Sequence, residues 1–140
     1  MYYDERGLDK YVSAQARDYD DALREIRGGR KRSHWIWYIF PQLEGLGYSC
    51  TAQYYAIRGR EEAEAYMEDP VLSKRLIEIS KALLELDSDD PTEVMGYPDD
   101  LKLRSSMTLF SMVSDDPVFK KVLDKFYGGE ECSYTREYLR

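Results

Sequence analysis

Two short polar blocks within apolar sequence hold most of the side chains that could do chemistry. The first is Lys31-Arg32-Ser33-His34, followed at once by the aromatic run 35–40 and by Gln42. His34 is the only histidine of the chain, and an imidazole titrates close enough to neutral pH to act as a general acid or base. Trp35 and Trp37 would offer flat apolar walls beside it. The alternative is a histidine that only donates to a backbone carbonyl.

The second polar block spans residues 99–110 and reads DDLKLRSSMTLF. In a helix, Lys102 would lie one turn from Ser105 and Ser106, and a lysine beside a serine is one way to activate a hydroxyl nucleophile. The Lys-x-x-Ser spacing is common, however. Hydroxyl side chains of a central helix often just bond to the carbonyl four residues earlier, which is the alternative reading for this block.

Metal and cofactor chemistry has little support in the sequence. A single histidine excludes a multi-histidine site, and Cys50 and Cys132 match no metal-binding spacing. The acidic run 87–90 lacks the glycine and the twelfth-position glutamate of a calcium loop, so helix capping explains it better. The sequence contains no Walker loop, dinucleotide fingerprint or Gly-x-Ser-x-Gly elbow. We therefore expect no metal and no cofactor.

Charge narrows the choice of partners. The 140 residues carry a net charge of -7, which argues against general binding to nucleic acids or anionic membranes. The charge is uneven, because five cations surround Gly28-Gly29 with only Glu25 opposing them: Arg24, Arg27, Arg30, Lys31 and Arg32. This cluster is either a solvated helix end or an anion pocket. With no apolar run of about 18 residues and no visible secretory signal, we expect a cytoplasmic protein that spans no membrane.

Helical periodicity dominates the chain. Apolar residues from Tyr11 to Ile26 recur at helical spacing, and the clearest apolar stripe runs over 70–87. Asp-Pro pairs at 69–70, 90–91 and 116–117 predict three helix starts, with Glu93 placed to close a capping box. Among so many helices we favour a helix for 35–40 as well. The expectation is a single compact all-α domain of about six to eight helices over residues 1–140, with its core at about 8–139.

These motifs together resemble the DUF1810 family. The resemblance rests on GRKRSHWIWYIFPQLEGLG at 29–47, AEAYMEDPVLSKRL at 63–76, DDLKLRSSMTLF at 99–110 and VLDKFYGG at 122–129. It implies a small multihelical bacterial protein of no established function. The family's polar and aromatic positions are intact here except that its usual Met-Trp-Phe is Ile36-Trp37-Tyr38. A family signature rich in Lys, His, Gln, Ser and Thr favours a site over mere packing.

We consider two hypotheses for function. In the first, the two blocks form a pocket for a small phosphorylated or nucleotide-like ligand, with hydrolysis as a further option. The catalytic candidates are His34, Lys102 and Ser106, and the ligand-binding candidates are Lys31, Arg32, Trp35, Trp37, Gln42, Asp100, Ser105 and Thr108. In the second, the chain is a non-enzymatic protein-interaction module whose polar residues form a structural hydrogen-bond network. The sequence leaves the oligomeric state open.

Overall fold

A computed structural model describes residues 7–140 as an all-α domain. Over these residues it contains nine helices: α1 (Asp9–Arg27), α2 (Ile36–Ile39), α3 (Cys50–Tyr54), α4 (Arg60–Glu68), α5 (Pro70–Leu84), α6 (Pro91–Met95), α7 (Asp99–Val113), α8 (Val118–Tyr127) and α9 (Ser133–Tyr138). The fold class predicted from the sequence is confirmed. The helices exceed the expected six to eight because several are single turns, and a single turn is too short to show a helical period.

The core lies where α5, α7 and α8 pack together and α1 covers α5. The stripe predicted on α5 is fully buried, as shown by Leu72, Ile79 and Leu83. Helix α7 is central, because it contacts α2, α4, α6, α8 and α9 and buries side chains on much of its circumference. The helical bundle therefore fixes the positions of both polar blocks, and the second block lies on its central helix, α7.

The predicted helix boundaries are mostly confirmed. Asp69 and Asp90 cap α5 and α6 by accepting hydrogen bonds from backbone N–H groups of the first turn, with proline at the first helical position. The capping box expected at Glu93 does not form, because its carboxylate accepts from the hydroxyl of Ser88 instead. Helix α9 begins at Ser133, with Cys132 rather than Ser133 in the N-cap position.

Residues 42–57 form a closed loop at the edge of the bundle. A parallel bridge pairs Leu43 with Ile57, through hydrogen bonds of 2.9 Å from the Ile57 N–H to the Gln42 carbonyl and from the Glu44 N–H to the Ile57 carbonyl. Ser49 caps α3 inside this loop. Within residues 7–140, no helix is long and apolar enough to cross a membrane.

Candidate functional site

The loop that follows α1 is organised by a buried carboxylate. Glu25 accepts hydrogen bonds from the N–H groups of Arg32 (2.6 Å) and Ser33 (2.9 Å), from Ser33 Oγ (2.6 Å) and from Trp35 Nε1 (3.0 Å). Burial by itself would raise the pKa of Glu25, but these hydrogen bonds outweigh it and lower the pKa from 4.5 to about 2. The first polar block therefore has a fixed shape, set by a residue of the preceding helix.

Asp99 joins the two polar blocks. Its two oxygens accept from Lys31 Nζ (2.8 Å) and Lys102 Nζ (2.9 Å), and we call these three residues the Asp99 triad. Burial would raise the pKa of Asp99, but the hydrogen bonds and charges of the two lysines lower it. The side chain of Lys31 is only 6% exposed, so this ion pair is largely withdrawn from water. The blocks thus meet in space, which the sequence alone left undecided.

Each ammonium of the triad also lies over a tryptophan ring. Lys31 Nζ is 4.9 Å from the ring centroid of Trp35, and Lys102 Nζ is 4.3 Å from that of Trp37. Both distances are within the range of a cation–π attraction. Two ammonium groups and one carboxylate leave one surplus positive charge, so the lysines predicted to neutralise a ligand are partly neutralised already by Asp99.

A cavity of about 390 Å³ lies beside the triad, between the 42–57 loop and α2. We call it the Gln42 cavity, and its lining residues include Trp37, Gln42, Glu44, Tyr48 and Arg58. This volume falls in the range of small-molecule sites. Trp37 belongs both to the cavity wall and to the contact with Lys102, so one ring connects the two features. A larger groove of about 530 Å³ along α4 contains none of the predicted site residues.

Gln42 provides the unusual polar group of this cavity. The residue is only 5% exposed, and its Nε2 has no hydrogen-bond partner among the described residues. The other buried glutamine, Gln15, donates from Nε2 to the Tyr38 carbonyl (2.8 Å) and to Tyr66 Oη (2.9 Å). A buried donor without an acceptor is costly, and the residue that carries this donor belongs to the cavity wall.

The ring of Trp37 is held in place on the side of Gly47 and α3. A Cβ added at Gly47 would lie 3.0 Å from Cη2 of Trp37 and 2.7 Å from the Cβ of Ala52. Position 47 therefore has to be glycine for the loop to close against the indole. The wall is preformed, which reduces the entropy lost when a ligand binds.

Other predicted site residues lie outside the cavity wall. Arg32 and His34 are both exposed, and within residues 7–140 the side chain of His34 makes no hydrogen bond or ion pair. Asp100 is occupied with packing, because Oδ2 accepts from Thr92 Oγ1 (2.7 Å) and its carbonyl from Tyr127 Oη (2.5 Å).

The hydroxyl residues of α7 face other helices. Ser105 Oγ donates to the Leu101 carbonyl (3.1 Å), and Thr108 Oγ1 donates to the Arg104 carbonyl (2.8 Å) and accepts from the N–H of Cys132 (2.9 Å). Ser106 is fully buried, and its Oγ has no partner in the described part of the chain. The structure therefore brings Lys31, Lys102, Trp35 and Trp37 together but joins neither Ser106 nor His34 to them by a side-chain contact.

Sequence reasoning did not choose Glu25, Asp99, Glu44, Tyr48 or Arg58 as site residues. For Glu25 a signal existed, since it is the one acidic residue within a basic cluster. Asp99 stands one helical turn before Lys102, a spacing that allows an ion pair. The three cavity residues belong to loop segments, where no periodicity indicates which side chains meet.

The sequence model of a family described as "Protein of unknown function (DUF1810)" matches residues 5–139. Among solved structures, the chain is similar to the conserved hypothetical protein Rv1873 from Mycobacterium tuberculosis, with 44% identity and a TM-score of 0.94. The match covers 97% of this chain and 98% of that chain. No curated protein sequence matches the chain.

Proposed function

This chain belongs to the DUF1810 family, and because the family's description assigns no activity, we propose its function from the site: it binds a small phosphorylated or nucleotide-like ligand in the Gln42 cavity. The observation that carries the proposal is the buried Nε2 of Gln42, which lacks a hydrogen-bond acceptor within the described chain. A ligand oxygen or ring nitrogen would supply that acceptor.

The anionic character of the ligand is supported by the charges around the cavity. Arg58 is an exposed wall residue that makes no ion pair within 4 Å in the described part of the chain, although its charge also acts on Glu62. Lys102 of the Asp99 triad, which has a surplus positive charge, lies 4.3 Å from the ring centroid of Trp37. Arginine is well suited to phosphate because its planar guanidinium donates two parallel hydrogen bonds. The proposal is limited to binding, because the described lining residues of the cavity do not include the catalytic candidates His34, Lys102 and Ser106.

A thermal-shift screen with inorganic phosphate, ribose 5-phosphate and nucleotides tests the proposal in wild type and in Gln42→Met. A ligand present at about 100 times its Kd stabilises the fold by about 2.7 kcal/mol, which raises Tm by several degrees. We expect this shift in wild type and its loss in Gln42→Met, which retains the length of the side chain without the amide. Gln15→Met is the matched control, expected to lower Tm but to keep the ligand shift.

The proposal is wrong if none of these compounds stabilises the wild type, or if Gln42→Met responds to them as the wild type does. A flat screen would favour the second candidate, a protein-interaction module. The observation in its favour is that most polar groups of the two blocks are already satisfied within the chain, by Glu25 and by the Asp99 triad.

A further inference from the structure

The walls of the Gln42 cavity restrict the ligand class further than the proposed function does. Trp37 forms one wall, and Tyr48 lines the same cavity although its side chain is 87% exposed. Tyr48 is the most exposed of the large hydrophobic side chains in the described part of the chain, and it is the one of the exposed tyrosines that lines this cavity. Two rings beside one cavity suit a flat aromatic ligand, because stacking on aromatic side chains is a common way to bind bases.

The backbone that carries Tyr48 is fixed although its ring is free. Gln53 Nε2 donates to the Tyr48 carbonyl (2.8 Å), and the next residue, Ser49, accepts from the N–H of Ala52 (3.0 Å) to cap α3. Trp37 is likewise held, by Gly47 and by Lys102. The ring of Trp37 is thus positioned before a ligand arrives, whereas for Tyr48 only the backbone is, and a bound ligand would bury the exposed ring of Tyr48.

The polar groups of the cavity match the remaining parts of a nucleotide. An amide side chain commonly reads the hydrogen-bonding edge of a base, and Gln42, a wall residue, has a buried amide donor without a partner in the described chain. Among the described lining residues, Arg58 is the one cation and Glu44 is the one anion. The Glu44 carboxylate accepts from Tyr138 Oη (2.7 Å), and its charge disfavours a ligand with several phosphates.

Resting on the proposed function, we propose that the ligand is a nucleoside monophosphate. Its base packs against Trp37 and Tyr48 and accepts a hydrogen bond from Gln42 Nε2. Its single phosphate pairs with Arg58. A sugar phosphate would leave both rings unused, and a triphosphate would bring more negative charge than one arginine balances beside Glu44.

Isothermal titration calorimetry tests this proposal with AMP, GMP, CMP and UMP, the matching nucleosides and triphosphates, and ribose 5-phosphate. We expect at least one monophosphate to bind tenfold or more tightly than ribose 5-phosphate and than its own nucleoside. The corresponding triphosphate should bind no more tightly. Arg58→Met should remove the advantage of the monophosphate over the nucleoside.

Tyr48→Ala should weaken binding of the monophosphate at least tenfold without changing Tm, because the ring makes little contact with the fold. Tyr54→Ala is the control, since this tyrosine is 58% exposed but does not line the cavity, and its effect should stay within twofold.

Equal binding of ribose 5-phosphate and the monophosphates, unaffected by Tyr48→Ala, would overturn the inference and leave the proposed function standing. Equal binding of nucleoside and monophosphate would overturn the role of Arg58 and thus the assignment. Absence of binding by every phosphorylated compound would overturn both proposals.

Discussion

Trp35 donates its indole N–H to Glu25 over 3.0 Å, and this hydrogen bond ties the aromatic run to the helix before it. The same carboxylate also holds the backbone of Arg32 and Ser33, so one buried charge shapes the whole connection from α1 to α2. The positions of Lys31 and Trp37 at the candidate site depend on this connection. Glu25 is therefore a positioning residue for a site that it does not itself line.

The pH dependence of stability should show the contribution of Glu25. Its pKa in the folded chain, about 2, lies below its ordinary value of 4.5, so its ionised form stabilises the fold above about pH 5. That contribution is lost as the pH falls from 5 towards 2. In Glu25→Gln, urea denaturation at pH 7 should show a loss of about 2 kcal/mol, and the slope of stability against pH should be smaller in this window.

Glu64→Gln provides the control for that measurement, because Glu64 is exposed on α4. Its effect should stay within about 0.5 kcal/mol. If Glu25→Gln had an equally small effect, or if its stability fell as steeply as that of the wild type between pH 5 and 2, the carboxylate would not organise the loop.

The Asp99 triad should respond asymmetrically to substitution. Asp99→Asn leaves two ammonium groups unpaired, one of them on the buried side chain of Lys31, and should cost about 3 kcal/mol. Lys102→Met should cost only about 1 kcal/mol, because Asp99 keeps its bond to Lys31. In the Asp99→Asn background, Lys31→Met should restore part of the stability. A double-mutant cycle by urea denaturation measures this coupling, and additive effects would show that the triad is not a unit.

The two buried glutamines should behave oppositely in the absence of ligand. Gln15→Met removes two hydrogen bonds and leaves the Tyr38 carbonyl without that donor, so it should lower the free energy of unfolding by about 1–3 kcal/mol. Gln42→Met removes a donor that has no acceptor among residues 7–140, and the free energy of unfolding should stay the same or rise by about 1 kcal/mol. Urea denaturation measures both changes in the free energy of unfolding, provided that the two variants and the wild type have equal m-values. A clear loss of stability in Gln42→Met would show that its amide is satisfied within the protein.

Helix α7 allows a similar comparison between a buried polar group without a partner and one that has a partner. Ser106→Ala removes a buried hydroxyl that has no partner in the described structure and should leave the free energy of unfolding within about 0.5 kcal/mol of wild type. Thr108→Val removes the acceptor of the Cys132 N–H and should cost about 1–2 kcal/mol. The same denaturation experiment measures both. If Ser106→Ala were the more damaging of the two, the hydroxyl of Ser106 would be hydrogen-bonded within the folded protein.

The sequence predicted the longer helices well because their signals are local. The apolar stripe of α5 and the Asp-Pro starts at 69–70 and 90–91 follow from spacing and capping alone. The capping box, which was predicted wrongly, also failed for a local reason. Glu93 satisfies the capping-box pattern, but the hydroxyl of Ser88 is close enough to compete for its carboxylate.

The candidate site was only partly predictable, because its residues come from separate parts of the chain. The sequence indicated Lys31, Lys102, Trp37 and Gln42 but not which of them would meet. Their roles also changed in the structure, since Asp99 already neutralises one of the two lysine charges. Arg58 lies in a loop, and no pattern in the sequence distinguishes it from other surface cations.

The closed 42–57 loop affects how a ligand enters and leaves the cavity. Its base is fastened by two backbone hydrogen bonds between Gln42, Glu44 and Ile57, and the hydroxyls of Tyr134 and Tyr138 donate to Glu44. Helix α3 makes no extensive contact with any other described helix. The α3 part of the loop can therefore come apart locally while the bundle of α5, α7 and α8 stays intact. Its amide hydrogens should therefore exchange with solvent faster than those of α7. The entrance to the cavity would then be a reversible opening of one small loop, with a free energy separate from that of global unfolding.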